Sequence, residues 1–366
     1  MQTITNPINI SELNYSLEKI CDRNKCLFID IETTGFTARN SNLYLIGCVY
    51  FKDNAFYATQ FFADKYSDEE ELLNEFFSFA KDFSFLIHFN GNNFDIPYIL
   101  AKVKEHGLPY NFNDFTGIDL YKRVATLKSF LKLENCKQKT IESFLKIDRE
   151  DRYSGGDLIG LYHQYVETHD EELKRLILLH NFEDLSGMPG ILPILSVCDL
   201  FTDKLKVTKV SASHFKDVNG NDRSELLMTF DTPAPLPVPI SYMYDGVYFA
   251  GAANQAMLRV PIAEEELKYY YANYKDYYYL PDEDVALHKS VASFVDKNHR
   301  EKAKAQNCYT RKTSRFLPEW DALITPFFKP DFSSKKLFFE LTDERKTDRE
   351  LFSAYASHLL EHMLKQ

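Results

Sequence analysis

Paired cysteines, long apolar runs and an excess of basic charge are all missing from this 366-residue chain. Its six cysteines stand singly, and the one close pair, Cys21 and Cys26, has no second Cys or His pair at zinc-finger spacing to complete four ligands. A reduced, cytosolic (cytoplasmic) protein is the expectation. No uncharged apolar run approaches membrane-spanning length. The N-terminal stretch from Met1 to Ser16 has neither the basic start nor the apolar centre of a leader peptide, so a soluble protein without a membrane partner is expected. Lys and Arg number 43 against 54 Asp and Glu, a net charge of −11. That balance disfavours non-specific adhesion to nucleic acid over the whole surface. A polyanion would have to be met by a local basic patch or by bound cations, and cations need a cluster of acidic ligands. No internal repeat is evident.

What is there is ample core material: 45% of the residues are hydrophobic, in a chain longer than one core usually supports. Two domains are expected, residues 1–200 and 201–366. Cys26 to Ile31 is a short apolar run ending at a Thr-Thr-Gly turn signal, read as a buried strand. Leu43 to Phe51 and Ala55 to Phe62 follow as strands joined through Asp53-Asn54. Ser67-Asp68-Glu69-Glu70 has the form of a capping box before a helix over about 68–81. Ser84 to Phe89 reads as a strand, Phe94 to Glu105 as a helix that tolerates Pro97 in its first turn, and Thr116 to Leu120 as a fifth strand. Helical pieces run from Lys139 to about Ser186, broken at Ser154-Gly155-Gly156. The order implies an α/β fold, a mixed sheet flanked by helices. Beyond about Leu200 the texture becomes strand-like, as in Leu226 to Phe230 and Met243 to Phe249. The Pro-rich stretch from Thr232 to Pro239 reads as an extended connection. Helices are expected again over about 282–304. Another is expected at the C-terminus, where Thr347-x-x-Glu350 precedes Leu351, Tyr355, Leu359 and Met363 on one face, giving an α+β second domain.

Asp30 and Glu32 lie two residues apart in a strand, so their carboxylates share one face. On an apolar strand the usual relief for such a pair is a bound cation or a raised pKa, although an acidic pair at a strand end is often merely solvated. Asp95 follows a strand and an Asn-Gly turn, and Asp184 lies in a late helix four residues after His180. On a helix those two share a face, so an imidazole near neutral pKa can meet the same site and take a proton from water.

The order D-x-E-T-T-G over residues 30–35, then N-G-x-x-F-D over 90–95, then His180 and Asp184 resembles the four-acid (DEDD) 3′-to-5′ exonuclease superfamily of the ribonuclease H-like fold. Its closest likeness is the bacterial YprB-type ribonuclease H-like domain. The resemblance covers about residues 20–195. It implies a nuclease holding two divalent ions, Mg²⁺ or Mn²⁺, on Asp30, Glu32, Asp95 and Asp184, with a single-stranded 3′ end of RNA or DNA as partner. Members with a tyrosine place it four residues before the last Asp, and those with a histidine usually five; here His180 stands at the tyrosine spacing. The resemblance also leaves open a structure-selective endonuclease and a binding module with silent acids.

Further residues have weaker claims. Thr33, Asn90 and Gly91 are candidates for substrate contact, although a turn explains Asn-Gly by itself. Asp119 and Glu183 read as structural. Between Lys297 and Arg315 the chain concentrates bases, among them Lys302, Arg311 and Lys312, as a candidate polyphosphate track beside which Tyr309 and Phe316 would stack on bases. A solvated helix face is the ordinary reading of such a run. Seven tyrosines between Tyr269 and Tyr279 read better as packing than as a binding surface. Protein partners are not legible.

Overall fold

The computed structural model describes residues 1–8 and 15–365 and divides into two compact units, residues 1–198 with 234–238, and residues 199–233 with 239–366. The rest of the N-terminal stretch read for a leader lies outside the described residues.

The first unit is built on a six-stranded sheet: β1 (Gln2–Ile8), β2 (Cys26–Thr33), β3 (Leu43–Lys52), β4 (Ala55–Phe62), β5 (Phe85–His88) and β6 (Thr116–Asp119), in the order β1-β4-β3-β2-β5-β6. β1 to β4 pair antiparallel, and β5 and β6 join β2 parallel. Asp53 and Asn54 turn β3 into β4 with φ of 49° and 61°, the left-handed pair that a two-residue hairpin requires. β2 is buried almost throughout, which explains its continuous apolar spelling.

Among the described residues seven α-helices accompany the sheet: α1 (Glu69–Ala80), α2 (Asp95–Glu105), α3 (Leu120–Ala125), α4 (Gln138–Phe144), α5 (Gly155–Thr168), α6 (Glu171–Ile191) and α7 (Leu195–Thr202). α6 packs on β2, β3 and β4, and α1 on β3 and β4. Buried Phe28, Phe62 and Phe76 anchor this core, each stabilising by about 1.5–3 kcal/mol. Tyr44 of β3 stacks on Tyr162 of α5 at 3.8 Å between ring centroids. The run Glu171–Thr202 is long and apolar enough to cross a membrane by length and composition; within this protein 67% of its most apolar window is buried as a core helix. The expected capping box at Ser67 does not form. Asp68 precedes α1 without a side-chain cap, whereas Ser154 and Asp157 make a reciprocal box at the start of α5.

The second unit is sheet-rich. β7 (Lys206–Lys216), β8 (Asp222–Tyr244) and β9 (Val247–Pro261) form one sheet in sequence order. β8 contains the Pro-rich stretch, of which residues 234–238 count with the first unit, with Pro233, Pro235, Pro237 and Pro239 at alternate positions and Ala234, Leu236 and Ile240 buried between and beyond them. The stretch is therefore strand rather than a connection. β10 (Ala263–Tyr270), β11 (Tyr277–Leu280), β12 (Val285–His288), β13 (Glu301–Lys302), β14 (Tyr309–Glu319), β15 (Phe327–Phe328) and β16 (Leu337–Glu340) make two further sheets, ordered β10-β14-β16-β15 and β12-β11-β13. Helices α8 (Lys289–Ala292) and α9 (Asp343–Lys346) are short. α10 (Arg349–Leu364) is capped by Asp348 rather than Thr347 and buries Tyr355, Leu359 and Met363 as expected.

The helix expected over 282–304 is a correction. Val285 to His288 pairs with the tyrosine strand β11 and Lys302 with Tyr278, leaving α8 and a 3-10 turn as the only helical turns in that span. Apolar residues in short groups fit either structure, and cross-strand pairing with aromatic Tyr277 to Tyr279 decides for strand.

Candidate active site

The site is assembled at the end of β2. Asp30 and Glu32 alternate with Ile29 and Ile31, so both carboxylates emerge on one face. Glu32 is buried and Asp30 half-buried. Asp95 opens α2, directly after the β5 turn, and is buried. His180 and Asp184 project from α6 four residues apart, as helical spacing requires. His180 Nε2 lies 3.4 Å from Asp184 Oδ2 and 3.7 Å from Glu32 Oε1. One ligand atom each from Glu32, His180 and Asp184 falls within 4.8 Å of the others.

The electrostatics match that crowding. Burial, then Glu32, Asp184 and Asp95 in turn, pushes the Asp30 carboxyl well above the ordinary range, only partly countered by a hydrogen bond from Asn181. Burial, then Asp184 and Asp95, does the same to Glu32. Asp95 is pushed up to about 7 by burial, with the Ile31 amide working against the rise. Asp30 and Glu32 thus feel Asp95 and Asp184 in a poorly solvated place.

A surrounding layer holds these groups, and none of its members stood out in the sequence. Asn181 Nδ2 donates to Asp30 Oδ2 at 2.8 Å and its Oδ1 accepts from Gln60 Nε2 at 2.9 Å. Gly47 of β3 permits this, since a Cβ there would lie 2.2 Å from Asn181 Oδ1. Arg149 bridges Asp184 Oδ1 at 2.6 Å and Glu142 Oε2 at 2.9 Å. Gly187 makes room for Glu142, whose Oε1 a Cβ would approach to 2.0 Å. His180 Nδ1 lies 2.8 Å from Asp151 Oδ2, and Lys139 Nζ donates to that same oxygen at 3.0 Å. Burial would raise the Asp151 carboxyl, but hydrogen bonds from Tyr153, Lys139 and His180 hold it below the usual carboxylate range. Asp148 to Arg152 has no periodicity; its only sequence signal is five consecutive charges between two helical segments.

Other candidates are accounted for by local structure. Thr33 is buried and its hydroxyl donates to Gly35 O at 2.9 Å. Asn90 adopts φ of 64°, and its amide donates to Asp119 Oδ1 at 3.0 Å. The Gly91 amide donates to His88 Nδ1 at 3.0 Å, and a Cβ on Gly91 would meet the His88 ring at 2.7 Å. Asp119 also caps α3, and Glu183 accepts the amides of Glu150 and Asp151 at 2.8 and 2.9 Å.

The basic track is interrupted within β14. Arg311 and Lys312 are neighbours on β14 and therefore face opposite ways. Arg311 pairs with Asp284, and Lys312 with Glu340 at 2.7 Å. Lys302 is exposed on β13. Phe316 is fully buried and Tyr309 buried with its hydroxyl donating to Asp284 at 2.6 Å, so neither ring is available to stack on a base.

Residues 27–193 match the RNase_H_2 family model, described as RNase_H superfamily. The mixed sheet with its helices is an RNase H-like domain, and a sheet-rich region follows it. No curated protein matches the chain. Among solved structures, the family B DNA polymerase of the hyperthermophilic archaeon Pyrobaculum calidifontis is 15% identical with a TM-score of 0.38, over 46% of this chain and 25% of that one. E. coli exonuclease I in its zinc-ion-bound complex with single-stranded DNA is 12% identical with a TM-score of 0.29, over 57% of this chain and 55% of that one. Exonuclease I with the inhibitor BCBP is 12% identical with a TM-score of 0.31, over 63% and 56%. The chain thus spans a quarter of the polymerase and little more than half of the exonuclease, and at these scores the likeness bears on neither site nor activity.

Proposed function

We propose, with an RNase H-like domain as the premise, that the first unit is a divalent-metal-dependent nuclease that trims single-stranded RNA or DNA from the 3′ end. The observation that carries this reading is the cluster of Glu32, His180 and Asp184, one ligand atom of each within 4.8 Å of the others, with Asp30 on the same strand face and Asp95 near enough to raise the Asp30 and Glu32 carboxyls. The acid order agrees with the four-acid exonuclease superfamily and its YprB-type branch.

The residues fit a metal. Carboxylate oxygens with one imidazole at the edge suit hard cations such as Mg²⁺ or Mn²⁺. Burial, then the charges of neighbouring acids, lifts Asp30 and Glu32 well above the ordinary range, and a bound cation would relieve both. Asp30, Glu32, Asp95 and Asp184 would hold two ions. Bound there, such ions make water more acidic and neutralise charge on a phosphodiester. The chain's own side chains do the rest: Asn181 fixes Asp30, Arg149 fixes Asp184, and burial keeps bulk water off Glu32 and Asp95. His180 Nε2 is placed to accept the proton of an attacking water as general base.

The test is cleavage of end-labelled single-stranded RNA and DNA with Mg²⁺, Mn²⁺ or chelator, beside Asp30→Ala and Asp184→Ala. Stepwise, metal-dependent shortening from the 3′ end, abolished in both variants, is the expected result and also reports the sugar preference. Internal cuts alone would replace the reading by a structure-selective endonuclease. No cleavage with either metal would leave a nucleic-acid or protein-binding module.

A further inference from the structure

We infer that Asp151 is a positioning residue of this site, holding the His180 ring in the one tautomer that leaves Nε2 bare toward Glu32 and Asp184. The purpose of that arrangement rests on the nuclease reading; its geometry does not.

The Asp151 side chain is 1% exposed and meets three hydrogen-bonding partners. Its Oδ1 accepts from the Tyr153 amide at 3.0 Å, and its Oδ2 accepts from Lys139 Nζ at 3.0 Å and faces His180 Nδ1 at 2.8 Å. An amide and an ammonium only donate, and with His180 they hold the Asp151 carboxyl below the usual carboxylate range, so at pH 8 it is ionised and has no proton to give. The hydrogen between it and the ring therefore belongs to Nδ1. A neutral imidazole carries one N–H, which makes Nε2 the acceptor. Beyond Nε2 stand Asp184 Oδ2 at 3.4 Å and Glu32 Oε1 at 3.7 Å, neither of them hydrogen-bonded to it, whereas Nδ1 is bonded to Asp151. The lone pair is left for a water held among the acids.

The segment that carries Asp151 is registered on the helix that carries His180. Glu183 of α6 accepts the amides of Glu150 and Asp151, and Arg149 reaches back to Asp184 of the same helix at 2.6 Å. His180 thus cannot rotate without displacing contacts on both sides. In hydrolysis the water's proton passes to Nε2 while its oxygen bonds to phosphorus. The bond from phosphorus to the 3′ oxygen breaks, and that oxygen takes a proton from solvent. The Nδ1 proton stays on the ring, and Asp151 stabilises the imidazolium through it.

The experiment combines ¹⁵N spectra of histidine-labelled full-length protein at pH 8 with steady-state cleavage of a single-stranded substrate. His180 is assigned among the ten histidines by the resonance lost in His180→Gln. An Nδ1–H tautomer in the wild type is expected. In Asp151→Asn that signature should collapse, with kcat lower by about 10²-fold, KM within twofold and the thermal midpoint little changed. A wild-type ring that is Nε2–H or doubly protonated overturns the inference even where the variant does not fold, and so does a folded Asp151→Asn protein with wild-type kcat. A wild type that cleaves nothing sinks the nuclease reading instead, and the spectra alone then decide on Asp151.

Discussion

The acids around His180 and the bases along β14 are both crowded like charges, but the fold treats them differently. In the first unit Asp30, Glu32, Asp95 and Asp184 are drawn from one strand and two helices into one poorly solvated place, where burial and then the neighbouring acids raise the Asp30 and Glu32 carboxyls. In the second unit Arg311 and Lys312 are separated by strand alternation and paired off with Asp284 and Glu340 near the surface. Sequence proximity does not decide which charges act together. Cross-strand and helix periodicity do, and burial turns the gathered set into a chemical site.

The largest test of that contrast is to remove one gathered charge. Asp30→Asn keeps an oxygen for Asn181 but halves the acidity of β2's pair. Cleavage should fall by roughly 10³-fold, since several kcal/mol of charge stabilisation at the phosphate goes with it. In chelator at pH 8 the same variant should be more stable than wild type by about 1 kcal/mol, because buried like charges repel. A loss of stability in chelator would show that the acids are not in conflict. Next, Gly47→Ala drives a Cβ into Asn181 and Leu185 at 2.2 and 2.3 Å. A destabilisation of about 1–3 kcal/mol in denaturant titrations is expected, with at least a roughly tenfold loss of cleavage as Asp30 loses its register; unchanged values for both would remove Asn181 from the site.

Charge in the second unit should respond on a smaller scale, with one buried exception. Glu319 is fully buried, its Oε2 accepts the Ile324 amide at 3.0 Å, and its Oε1 has no hydrogen-bond partner among the described residues. Burial pushes its carboxyl up to about 7. An acid raised on folding contributes stability that is fully present below its unfolded pKa of about 4.3 and lost as pH rises through its folded value. The second unit should therefore lose about 2 kcal/mol between pH 5 and 8, and Glu319→Gln should flatten that slope in pH-dependent melts. At the bottom of the scale, Lys312→Ala should change stability by under about 0.5 kcal/mol and leave cleavage as it was. A strong loss of substrate binding in that variant would restore the basic track.

The sequence carried five of the first unit's six strands, all but β1, whose Gln2–Ile8 stretch has no clear apolar alternation, and the positions of Asp30, Glu32, Asp95, His180 and Asp184, because each sits at an element end marked by its own punctuation: Thr-Thr-Gly, Asn-Gly, or a helical interval of four. Asp151, Asn181, Arg149 and Gly47 carry no such mark. Their roles arise from contacts across 29 residues between Asp151 and His180 and 151 between Asp30 and Asn181, which no local pattern records. The span 282–304 departs from the expected helix for the opposite reason. Its apolar residues are grouped too shortly to choose a period, and a strand of tyrosines outside the span made the choice.

The alternating prolines of β8 add one last consequence. Residues on a strand offer their amides to its two sides in turn, so Pro233, Pro235, Pro237 and Pro239 strip the donors from a single side over four successive rungs. A stray strand arriving there would find carbonyls and no amides, which makes that side of the chain's longest strand a poor seed for sheet extension and guards it against aggregation.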